Sequence, residues 1–162
     1  MASDLYLQID GIKGESYDAG HMGWIEVDTV SWAVTQPKSA TASTGGGHTA
    51  ERCEMTEISF TKAADLASPI LLQMCAGGKT IPKARFEFMR ADGADSIKYY
   101  EIELENVLIA HVAPSLGAGA LVSESVGLKF SKVGWKYTQQ KVGGGTAGNT
   151  AGGWDLASNR YA

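Results

Sequence analysis

The chain has 162 residues, of which 44% are hydrophobic and 20% charged, with a formal net charge of -4. That length fits one domain burying roughly 70% of the surface its unfolded chain exposes, and the composition excludes a disordered protein. An acidic balance gives no basic surface for phosphates, which excludes nucleic acid as a partner; no apolar run reaches the roughly 18 residues of a spanning helix, which excludes membrane insertion.

No cationic, apolar leader precedes the first strand, so synthesis in the cytoplasm without a signal peptide is expected. In that strand Leu5, Leu7 and Ile9 alternate with Tyr6, Gln8 and Asp10, and Asp10-Gly11 and Lys13-Gly14 supply turn chemistry. A second strand is read through Ile25, Val27 and the stretch from Val30 to Val34. There Thr29, Ser31 and Thr35 alternate with Val30, Trp32 and Val34, so if the tryptophan side is core, the hydroxyl side faces water or a channel. Pro37 to Thr49, with Gly45-Gly46-Gly47 amid Ala, Ser and Thr, reads as a long Gly-rich loop, a length that tends to be functional.

A short helix follows, with Ser68 as N-cap, Pro69 at the first helical position and Gly77 at its end. Ile70, Leu71, Met74 and Cys75 fall on its core face. Two strands come next: Ala84, Phe86 and Phe88 alternate with Arg85 and Glu87, and Tyr100, Ile102 and Leu104 alternate with Glu101, Glu103 and Glu105. The alternation then slips twice, from Ile102 and Leu104 to Val107 and Ile109, and from Val126, Leu128 and Phe130 to Val133, Trp135 and Tyr137. An inserted residue in each strand, a β-bulge, accounts for both and bends the strand so that it can serve two sheets or close a barrel. The fold class is therefore mainly β, a compact β-barrel or two-sheet sandwich with one short α-helix. The domain spans residues 1–142, a Gly-rich spacer 143–153, and Trp154, Leu156 and Tyr161 mark 154–162 as a docking segment of the same domain.

Little in the chain suggests catalysis. His21, His48 and His111 are dispersed without a second ligand at metal spacing, and Cys53 and Cys75 read as free thiols. Glu101, Glu103 and Glu105 read as a solvated face rather than an acid/base set. Gly117-Ala118-Gly119 is a turn, lacking the context of a nucleotide loop. No metal, cofactor or catalytic residue is expected.

Ile9-Asp10-Gly11-Ile12, Gly14-Glu15-Ser16, Asp18, His21, Ile25-Glu26-Val27, Ser31-Trp32 and Gln36, in this order and spacing, resemble the opening of the haemolysin-coregulated protein (Hcp) family, the inner-tube subunit of bacterial type VI secretion systems. The resemblance continues through Ile58 to Gly93, Ile97 to Ser115, Ser123 to Gln140 and the C-terminal GGWDLASNRYA, and departs at Met22-Gly23-Trp24 and Ala40-Thr41-Ala42-Ser43. It implies a structural subunit without enzymatic activity that forms homo-hexameric rings, stacks them into a tube inside a contractile sheath, meets a spike protein at the tip, carries small effector proteins and is exported by the type VI system. On that reading Thr29 and Ser31 are the lumen candidates, and Pro37, Gly45, Gly46, Gly47, His48 and Thr49 the ring-stacking candidates. The alternatives are a bacteriophage-type tail-tube subunit, a monomeric ligand-binding β-barrel and a hydrolase on a β scaffold, the last without any nucleophile-base set in the chain.

Overall fold

The computed structural model describes residues 4–37, 52–92, 94–119 and 122–162. The first strand, β1 (Leu5–Ile9), pairs with β2 (Ile25–Glu26) on one side and with β7 (Thr80–Asp92) on the other, burying Leu7 and Ile9. The expected second strand is three short ones: β2, β3 (Thr29–Ser31) and β4 (Val34–Thr35). The chain changes partner at each step, from β1 to β6 (Ile58–Ala63) to β5 (Glu54–Met55). Each change of partner interrupts a ladder, and hydrogen bonds from Val27 N to Leu5 O and from Asp28 N to Thr61 O mark the first crossing.

β8 (Asp95–Ser115) is the longest strand and pairs with β7 along one side. Its other side is divided: Tyr100 to Glu105 pair with β10 (Lys132–Gln140), and Leu108 to Ser115 pair with β9 (Ser123–Lys129). Beyond β10 come β11 (Thr146–Asp155) and β12 (Arg160–Tyr161), and beyond β9 come β6 and β3. The ladders fork at β8 and do not close into a barrel, so of the two expected architectures the sandwich fits.

The two slips in the sequence pattern lie opposite one another at this fork, and neither is an inserted residue. Lys132 opposes Glu105 and Lys129 opposes Leu108, so the paired strands bend together and keep register. Asn106 makes the corner with φ 52°, a left-handed conformation that asparagine tolerates better than most side chains. Its amide donates to Ser131 Oγ at 2.9 Å, and Ser131 N donates to Glu105 O at 3.1 Å. The register shifts fall elsewhere, at Phe88/Met89, Ile109/His111 and Thr138/Gln140.

Composition marks residues 143–153 as a spacer, but most of that stretch is β11, in antiparallel register with β10 from Asp155 to Thr146. Glycine and small polar residues disfavour a strand by propensity; pairing to β10 overrides that local preference.

Helix α1 (Ser68–Gly77) lies one residue off its expected caps. Ala67 is the N-cap, Ser68 Oγ accepts a hydrogen bond from Asp65 N at 2.9 Å, and Gly78 at φ 61° ends the helix with a left-handed cap. The helix packs against β8. Leu71 is fully buried, Met74 and Cys75 are half-buried against the core, and Ile70 faces outward, contrary to its expected core position. The core runs from Leu7 and Ile25 through Ile58, Phe60, Phe86 and Ile102 to Leu128 and Val133, with the Phe60 and Phe86 rings edge to face at 5.7 Å.

Charged groups also lie inside. Lys62 occupies an inward position of β6 and is 0% exposed; its Nζ lies 2.8 Å from Asp65 Oδ1 and 3.0 Å from Glu124 Oε2, and donates to Ser68 Oγ at 3.2 Å. This lysine hides β6 from a reading by alternation, since it stands where an apolar residue is expected.

Leu71→Asp is expected to destabilise the domain by on the order of 4 kcal/mol, because an unpaired carboxylate replaces a fully buried side chain. Urea unfolding measures this, and a variant with the parental midpoint would place the helix face in solvent.

Candidate assembly surfaces

Two faces of the sheet carry chemistry, and they differ in kind. The first is built by β3, β6, β9 and the distal half of β8. Register places Thr29 opposite Thr61, Ser31 opposite Ser59, Thr61 opposite Ser125, Ser59 opposite Gly127, and Ser125 opposite Ala113. Paired residues share a face, so small residues, most of them bearing hydroxyls, line up across four strands while Ile58, Phe60, Val126 and Leu128 fill the other side. Thr29 Oγ1 and Thr61 Oγ1 are 2.6 Å apart, which uses the hydroxyls to knit β3 to β6.

At one end of this face a side-chain contact crosses β9: His111 Nδ1 lies 3.1 Å from Glu57 Oε1. Gly127 makes the crossing possible. A Cβ there would fall on the His111 ring and 2.8 Å from Glu57 Cδ, so any other residue displaces the pair.

The second face belongs to β1, β7, the proximal half of β8 and β10, and it is charged. Glu87 and Glu101 stand directly opposite each other on β7 and β8, an arrangement that is unfavourable by itself. Lys98 Nζ relieves it, 2.8 Å from Glu101 Oε2 and 3.6 Å from Glu87 Oε1, while Arg85 lies 3.2 Å from Glu101 and 2.6 Å from Glu103. The three glutamates are therefore not simply a solvated face, because Glu101 is only 9% exposed and cations match it. Burial opposes ionisation of Glu101, but side-chain hydrogen bonds with Lys98 and Glu103 and the charges of Lys98 and Arg85 outweigh it, holding the carboxyl below its ordinary range.

His21 anchors the long connection between β1 and β2 to this face. Its ring stacks on Tyr6 at 4.2 Å and meets the Trp24 edge at 4.8 Å, and its Nδ1 and Nε2 lie 2.6 Å from Asp18 Oδ2 and 3.3 Å from Glu87 Oε1. Burial, together with Asp18, Glu26 and Asp4, raises the phenol of Tyr6 above its usual value.

Thr29 and Ser31 stand where their alternation puts them, exposed on β3, with Val30 turned inward and Trp32 packed near Phe88 and Tyr100. Pro37 ends a described segment; Gly45, Gly46, Gly47, His48 and Thr49 lie outside the described residues. The sequence reading missed Ser59, Thr61, Ser125 and Gly127, which long-range pairing brings beside Thr29 and Ser31; the local signal was Gly127 between Val126 and Leu128 in a strand. His111 and Glu57, far apart in sequence, gave none. Among the described residues no group of three His, Cys, Asp or Glu is placed to hold a metal ion, and no helix is long and apolar enough to cross a membrane.

Residues 6–137 match a family model described as "Type VI secretion system effector, Hcp". The chain is 32% identical over 161 residues to protein hcp1 of Pseudomonas aeruginosa, covering 98% of each. Among solved structures it resembles a type six secretion system protein with a TM-score of 0.93 at 26% identity, covering 99% of this chain and 100% of that one. It also resembles Hcp1 from Salmonella typhimurium with a TM-score of 0.78 at 34% identity, covering 100% of both.

The lowered Glu101 carboxyl links folding to pH. A carboxylate depressed in the folded state stabilises it above the ordinary value of 4.5, and that contribution is lost as pH falls through the lowered value. The unfolding midpoint should drop as pH is taken below 4.5, and Lys98→Met should flatten this dependence. Parallel pH profiles for parent and variant would remove Lys98 from the account.

Proposed function

Because the chain belongs to the Hcp family of type VI secretion system proteins, we propose that it is a structural subunit of the secretion tube, forming hexameric rings that stack and are expelled with effectors in the lumen. The family is one of structural secreted proteins, and the mechanism proposed here is assembly and transport rather than catalysis. The observation that carries the reading is the face of Thr29, Ser31, Ser59, Thr61 and Ser125 across β3, β6 and β9. It is small in side-chain volume and rich in hydroxyls, properties that suit a channel wall meeting polar protein surfaces without trapping them. A pocketed enzyme needs convergent groups instead.

In this reading Thr29 and Ser31 face the lumen, and the segment that leaves β4 at Pro37 and runs through Gly45, Gly46, Gly47, His48 and Thr49 makes the axial contact between rings. The contractile sheath surrounds the tube and a spike protein sits at its tip. The subunit is made in the cytoplasm and leaves through the type VI system itself. An open-edged sheet supports the ring, since a head-to-tail interface covers in each subunit edges that a monomer leaves bare.

Light scattering of the purified protein at micromolar concentration should give about six times the 17.1 kDa of one chain. A monomer mass would refute the ring and return a ligand-binding domain to consideration. For the lumen, Ser31→Glu places a bulky charge on the channel wall, away from the core. Rings of this variant should keep their mass and fail to co-purify a co-expressed effector; rings that fall apart would assign Ser31 to an interface, and rings that retain the effector would move the binding surface elsewhere.

A further inference from the structure

We infer that the outer edge of β11, from Thr146 to Gly152, is a strand-addition surface occupied by a second copy of this chain; the inference rests on the ring reading and names part of its interface. β11 is ten residues long, but β12 pairs only with Trp154 and Asp155, and Ala162 N takes Gly153 O. Among the described residues no strand covers the outer side of Thr146 to Gly152, and Asn149 to Gly152 run in plain register with β10. An edge strand presents backbone N–H and C=O groups outward at alternate residues, which templates pairing with any extended chain.

Proteins that stay monomeric guard such edges with charge, proline, a bulge, shortness or a covering helix. The other edges among the described residues do so. β2, β4, β5 and β12 have two residues and β3 has three. Where β7 ends at the pairing of Thr80 with Leu108, α1 packs against β8. Asp95 to Tyr99 of β8, beyond the reach of β10, carries Lys98 and adjoins the register shift at Phe88/Met89. Thr146 to Gly152 reads Thr-Ala-Gly-Asn-Thr-Ala-Gly, with no charge and no proline; its register irregularity falls near the turn, opposite Thr138 to Gln140. Exposed apolar groups bracket it, Val142 in the turn and Tyr161 at 90% exposure beside Trp154.

The occupant follows from what this edge offers. It presents backbone and small side chains, with nothing to select a foreign sequence by charge or shape, whereas a repeating assembly delivers an identical neighbour to it every time. Two β11 edges pairing with each other would close a two-fold dimer, so in a ring the edge meets a different extended segment of the next subunit.

The test uses the full chain. Hydrogen exchange read by mass spectrometry compares residues 146–152 in the assembled protein with the same residues in dilute monomer. Slowing by about tenfold or more on assembly is the expected result. Thr150→Pro and Ala151→Pro form the second arm: their amides point to opposite sides of the strand, so one proline removes a bond to β10 and lowers monomer stability, while the other touches only the outer edge. That second proline should keep the monomer's unfolding midpoint and weaken assembly by about tenfold or more. Assembled protein whose residues 146–152 exchange as fast as in the monomer, or prolines that both assemble like the parent, overturns the inference and leaves the ring standing. A parent that stays monomeric overturns both.

Discussion

β8 is bonded to β7 along one side and shared between β10 and β9 on the other, and this sharing depends on the left-handed turn at Asn106. An alternating strand has one inward and one outward side for its whole length. Reversing that sense at Asn106, with Ser131 reversing it in the segment paired opposite, lets Ile102 and Leu104 face the core before the corner and Val107 and Ile109 after it. One strand thereby closes the core from two directions. The charged face grows from its proximal half and the hydroxyl face from its distal half.

Charge is handled differently on either side of the corner. On the charged face, Glu87 and Glu101 tolerate each other because Lys98 and Arg85 sit among them, in partial contact with water. Near the helix, Lys62 has no access to water and is held by Asp65, Glu124 and Ser68. A buried pair of this kind contributes little net stability over an apolar replacement, but removing one partner strands the other at a cost of roughly 3–5 kcal/mol. Its structural effect is to fix where β6, β9 and the start of α1 meet.

The proposed tube reading uses both properties of the fold. The hydroxyl face is smooth because its members are Ser, Thr, Gly and Ala, and the one pair that rises from it, His111 with Glu57, fits only because Gly127 has no side chain. A long uncharged edge at β11 and guarded edges elsewhere are unequal in the way a directional assembly requires. In that reading these are surfaces for neighbours.

Alternation over Leu5 to Ile9, Ala84 to Phe88 and Tyr100 to Leu104 was enough to declare β structure, and Ser68-Pro69 with the later glycines was enough to declare the helix, because those signals are local and repeat along the chain. The ordered run from Ile9 to Gln36 was enough to point to the family. The outward placement of Thr29 and Ser31 was also legible, since it needs only the period of a strand. What the sequence misread are elements whose state depends on distant partners: β6, hidden by a lysine whose counter-charges are Asp65 and Glu124; β11, a glycine-rich strand held by β10; and the two slips, which read as separate bulges and are one corner. Ser59, Thr61, Ser125 and Gly127 join Thr29 and Ser31 only through the ladders from β3 to β6 to β9. Periodicity tells each residue which side it faces, but only long-range pairing tells it who stands beside it.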